Sequence, residues 1–102
     1  MNKRKAIRRH FKKRSQERVG KSYSKHEQAQ IGARIRDDQN ASFIRRCSNT
    51  RTEWQIFWDG KVLRIIYDTL RHVPVTVLPM NERTKLTPLM EKLMAQHKEI
   101  VS

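Results

Sequence analysis

Cysteine occurs once in the 102 residues, as Cys47, so no internal disulfide can form and the fold must rest on packing and hydrogen bonding. Glycine and proline occur three times each, and no internal repeat or low-complexity linker is present. No window approaches the roughly 20 consecutive apolar residues of a membrane span, and no apolar run follows the first charges. Membrane insertion and secretion are therefore not expected, and the expected setting is the cytoplasm. A basic arm lying on anionic lipid would need a stronger apolar stripe than Ile7 and Phe11 provide. Acidic residues are also scarce: 10 stand against 23 Lys and Arg, a net charge of +13. Such an excess goes beyond what solubility calls for and points to a polyanionic partner.

The length allows one domain, residues 1–102, with a single modest core. Its charge is uneven: residues 1–51 carry 16 basic and 4 acidic side chains, whereas residues 52–102 carry 7 and 6. The basic part, residues 1–38, reads as helical. Residues 4–19 lack Gly and Pro, space Ile7, Phe11, Ser15 and Val19 by four, and stop at Gly20, which suits a left-handed cap. Ser24-Lys25-His26-Glu27 fits a capping box for a short second helix containing Ile31 and Ile35.

From Ala41 to Pro79 the apolar period becomes two, which predicts four consecutive strands. Asp59-Gly60 is the two-residue sequence of a type I′ turn and pairs positions whose numbers sum to 119. Trp54 then opposes Ile65, and Ile56 opposes Leu63. Glu53, Gln55 and Phe57 fall on the other face with Ile66, Arg64 and Val62. A three-residue loop, Thr69-Leu70-Arg71, pairs Asp68 with His72, places Val73, Val75 and Val77 on the core face and sets Arg64 directly opposite Thr76. Thr87-Pro88 starts a last helix, 87–101, bearing Leu89, Met90, Leu93, Met94 and Ile100. The predicted fold class is α+β: two N-terminal helices, a four-stranded antiparallel meander and a C-terminal helix.

The run from Lys3 to Arg14 holds eight positive charges in twelve residues with no acidic one, and a polyanion would relieve their repulsion. Arg4, Lys5, Arg8, Arg9, Lys12 and Lys13 are candidate phosphate contacts, with Arg45, Arg71 and, for stacking, Phe57. A solvated charged face is the plainer alternative. His10, beside Arg9 and Arg14, would be biased toward its neutral form and could act as a general base or phosphate donor. Arg64 offers a planar fork and Thr76 a hydroxyl, which together could hold one phosphate without filling core volume. A polar outer face is the alternative there too, and Glu53 is either a base or a salt-bridge partner of Arg64 or Arg45. Trp54 and Trp58 belong to the core face. His26, His72 and His97 show no metal-ligand spacing with Cys47, so neither metal nor cofactor is expected.

The order of a basic helix with an internal histidine, a short helix and four strands ending in Thr76-Val77-Leu78-Pro79 resembles the metal-independent RNase superfamily of barnase, colicin D and RelE, over residues 5–79. It is most similar to small toxin-like members with His-Phe-x-x-Arg-x-x-x-Arg in the first helix, here His10, Phe11, Arg14 and Arg18. Their later strands are matched by Lys61 to Asp68 and Val75 to Leu78. The resemblance implies metal-free RNA cleavage, in which the 2′-hydroxyl attacks the adjacent phosphate. His10 would be acid or base, Arg14 and Arg64 a phosphate clamp, and Thr76 a hydrogen-bond donor. The substrate would be tRNA, mRNA or RNA on the ribosome, with an inhibitor protein where the enzyme is active in its own cell. The pattern departs from the family in lacking a second identifiable acid/base and in extending past the last strand. The alternative function is a non-catalytic nucleic-acid- or ribonucleoprotein-binding regulator, and a third is a protein-interaction module using the Leu/Met helix.

Overall fold

The computed structural model describes residues 3–101; positions 1, 2 and 102 of the expected domain lie outside the described residues. Seven elements follow in the order α1 (Lys3–Val19), α2 (Lys25–Arg36), β1 (Ala41–Arg46), β2 (Arg51–Trp58), β3 (Lys61–Asp68), β4 (Val73–Leu78) and α3 (Pro88–Val101). The strands form one antiparallel sheet in the order β1-β2-β3-β4, as the alternation predicts.

Local chemistry sets the boundaries. Gly20, at φ +83°, occupies the left-handed region just after α1, where a side chain would be strained. The Ser24 hydroxyl accepts from the Glu27 amide, and the Glu27 carboxylate accepts from the Ser24 amide, so the reciprocal cap opens α2. Asp59 and Gly60 both have positive φ, 57° and 77°, as a type I′ turn requires. The register that follows is the expected one, with Trp54 opposite Ile65, Gln55 opposite Arg64 and Ile56 opposite Leu63.

α1 and α2 cover the apolar face. Phe11, Tyr23, Ile31, Ile35, Ala41, Ile56, Leu63, Ile65, Tyr67 and Val77 form the core, with Val19, Trp54 and Trp58 partly buried against it. Ser15 accepts from the Tyr23 amide, and Gln28 Nε2 donates to the carbonyls of Arg8 and Tyr23, tying the two helices together. α3 packs against β1, β2 and β3 on the other face, where His97 meets Phe57 edge-on with ring centres 5.7 Å apart.

The last hairpin departs from expectation. Arg64 opposes Leu78, not Thr76, and Asp68 pairs with Val73, not His72. The turn is one residue longer because the Asp68 carboxylate accepts from the amides of Leu70 and Arg71, and His72 takes a left-handed φ of 57°. A bulge between Ile66 and Tyr67 then restores the parity that keeps Val77 inward opposite Ile65. As a result Pro74 is buried, and Val73, expected on the core face, is half-buried. A second bulge between Phe43 and Arg45 turns Arg45 to the same face as Glu53.

Candidate nucleic-acid interface

α1 packs along the edge strand β4 through a stripe only three residues deep, Ile7, Phe11 and Ser15. The rest of its surface is free to carry charge. Among the described residues, Lys3, Lys5, Lys12 and Lys13 are exposed and form no ion pair; Arg8 is half-buried, and Arg4 and Arg9 are exposed. No acidic residue occurs in its first turn. Five or more cations on one exposed helix repel one another, and neutralising phosphates would relieve that repulsion with release of counterions.

His10 lies on this helix and is exposed. Crowding by its neighbours removes part of its hydration, and Arg14, Arg18 and Lys13 repel a second positive charge, so its pKa is lowered. Glu17 opposes the shift without reversing it. The imidazole is therefore held in its neutral form at neutral pH, able to accept a proton. Arg14 Nη1 donates to Glu17 Oε2 at 2.8 Å, and that bond holds the Glu17 carboxyl below its usual range. Arg18 donates to the Val77 carbonyl of β4 and lines a shallow cleft with Lys61, Arg64 and Met80.

Arg64 also lines a second, larger cleft of about 390 Å³ on the far face of the sheet. There Arg45, Arg64, Arg83 and Lys85 surround one carboxylate, Glu53, which is 3% exposed. Arg45 Nε donates to Glu53 Oε1 at 2.8 Å, while Arg64 Nε and Nη2 donate to Oε2 at 3.3 and 3.2 Å. Arg64 Nη1 donates to the Pro79 carbonyl at 2.9 Å. The salt-bridge role is thus the one Glu53 fills. Four cations around one anion leave the cleft positive, and its rim suits a phosphate.

Arg83 and Lys85 were not legible as site residues. Their loop is brought back over the sheet by Gln55, whose amide donates to the Lys85 carbonyl at 2.8 Å and accepts from the Thr87 amide at 3.0 Å. A polar residue between Trp54 and Ile56 was the one available signal, and it named no partner.

The remaining predicted site residues are dispersed. Thr76 lies diagonally from Arg64 on the same face, and its hydroxyl is buried without a hydrogen-bond partner among the described residues. Phe57 is half-buried beneath α3. Arg71 Nη1 binds Asp68 Oδ2 at 3.0 Å. Arg18 and Arg64 line one cleft together, and His10 lines neither that cleft nor the far-face one. Among the described residues, no group of three or more His, Cys, Asp or Glu side chains could hold a metal ion, and no helix is long and apolar enough to cross a membrane.

Comparison with protein-family models, with characterised proteins and with solved structures gave no match.

Proposed function

We propose that this protein binds nucleic acid, RNA by the resemblance of its first helix and strands, and that it does so without cleaving it. The observation that carries this reading is the exposed cationic face of α1, which has no acidic residue between Lys3 and Arg14. The Arg64 cleft extends the positive surface to the other side of the sheet. Non-catalytic binding is favoured because general acid-base chemistry needs its groups within about 3 Å of the same reacting atoms. His10 lines neither cleft that Arg64 lines, and the carboxylates beside these residues, Glu17 and Glu53, are engaged by Arg14 and by Arg45 and Arg64. The test is RNA affinity as a function of salt for the wild-type chain and for the Lys5→Gln/Lys12→Gln/Lys13→Gln variant. The wild-type slope of log affinity against log salt should exceed about 3 in magnitude, and the variant should lose about 2 of it.

A second reading, metal-independent RNA cleavage, is favoured by one observation: His10 is held neutral among cations that would bind the adjacent phosphates. Incubation with total RNA in EDTA decides between the two. Fragments ending in 2′,3′-cyclic phosphate, lost in His10→Ala, would establish cleavage, and intact RNA would leave binding alone.

A further inference from the structure

A third cleft, of about 210 Å³, opens between α1, α2 and the start of β4. Its floor is apolar. Ala29 and Gly32 of α2 line it with Pro74, and a Cβ on Gly32 would be in ordinary contact with Arg36 Nη1 at 3.4 Å and Pro74 Cδ at 3.5 Å. The rim is basic, with Arg8 from α1, Lys25 and Arg36 from α2, and the exposed His72 from the turn before β4.

Arg36 is tethered at the rim. Its Nη1 donates to the Tyr67 hydroxyl and to the His72 carbonyl, both at 3.3 Å. These bonds bias the guanidinium toward the cleft before any ligand arrives, and His72 lines the same rim. Gln28, 4% exposed, contributes to the cleft wall, and its Oε1 has no donor among the described residues. Apolar side chains, a guanidinium and an imidazole are groups against which heterocyclic rings stack, and the rim cations suit the phosphate attached to such a ring.

From this geometry we infer that the cleft takes one unstacked nucleobase of a single-stranded RNA, with the neighbouring phosphates on α1. The inference rests on the RNA-binding reading and adds strand selectivity to it. Arg8 belongs both to the cleft rim and to the basic run of α1, so a base seated here leaves the adjoining backbone on the helix cations. A free nucleotide would leave those cations unused. A duplex would have to give up a stacked base to reach the floor.

Fluorescence anisotropy on the full chain tests this with one labelled RNA sequence offered single-stranded and as a duplex, and with AMP as competitor. The variant is Ala29→Leu, which fills the floor from an exposed helical position with a good helix former. Single strands should bind about tenfold more tightly than the duplex. Ala29→Leu should remove about that factor, the loss of one stacked base, with its melting temperature and salt slope unchanged. AMP should displace the strand only at a large excess. Equal binding of single strand and duplex, or an Ala29→Leu variant that binds single strands like wild type, overturns the cleft assignment while salt-sensitive RNA binding stands. AMP binding as tightly as the strand would mark a free-nucleotide site and overturn the strand assignment. Salt-insensitive or absent binding of both RNAs overturns the RNA reading, and this inference with it.

Discussion

Arg64→Ala separates an outer-face arginine that merely adds charge from one that holds the sheet to its loop. The Arg64 side chain is 23% exposed and the Glu53 side chain 4%, and three donors of the one guanidinium are committed to Glu53 and the Pro79 carbonyl. Hydrogen bonds to charged groups contribute about 1.5–3 kcal/mol, and stranding a buried carboxylate raises the cost of removing its partner. Arg45 remains on the other oxygen of Glu53, but its side chain is 62% exposed, so that pair offsets at most about 1 kcal/mol. The expected loss is about 2 kcal/mol, or roughly 10 °C in melting temperature for a chain of this size. Urea unfolding of Arg64→Ala, Glu53→Gln and the double variant measures it. The double variant should lose about 1 kcal/mol less than the sum of the singles, because both remove the same interaction. A loss below about 0.5 kcal/mol with additive singles would refute the reasoning and return Arg64 to the class of neutral surface residues.

Gly60→Ala should cost about 1–2 kcal/mol in urea unfolding, because φ is +77° and the new Cβ would lie 2.9 Å from His97 Nε2, pushing the ring off Phe57. Asp68 is fully buried; burial pushes its pKa up, but bonds from the Arg71 amide and guanidinium and from the Leu70 amide outweigh this and hold it below its usual value. Since the folded pKa lies below the unfolded one of about 3.9, its stabilisation is complete above that value and is lost as pH falls through the folded pKa. Asp68→Asn should therefore destabilise at neutral pH and flatten the acid limb of a stability-pH curve, and an unchanged limb would contradict the assignment. Gln55→Ala should free the loop over residues 80–86 and speed its limited proteolysis, with a stability loss of about 1–3 kcal/mol from the unpaired Lys85 carbonyl and Thr87 amide.

Much of the fold could be read from short-range chemistry. Gly20, the Ser24–Glu27 box and Asp59-Gly60 each act on the backbone within a few residues, and the Asp-Gly turn alone placed eight residue pairs of β2 and β3 in register. The β3–β4 register was missed because it depends on a side chain, Asp68, that recruits two backbone amides and lengthens the turn. The two bulges left no mark in the apolar alternation, since each shifts one strand without changing which residues are apolar. The site was less legible than the fold. The charge of α1 follows from its sequence, but Arg83 and Lys85 reach the Arg64 cleft through a bond from Gln55 across 30 positions. Nothing periodic records such a link. The cleft at Arg36 and Pro74 depends likewise on how α2 crosses β4.

Titration of single-stranded RNA at a series of salt concentrations tests the central claim most directly, with the wild-type chain beside the Lys5→Gln/Lys12→Gln/Lys13→Gln variant. A wild-type slope steeper than about 3 that falls by about 2 in the variant is the predicted result. Affinity that barely changes between low and physiological salt, or a variant whose slope matches wild type, would contradict α1 as the surface that holds the RNA.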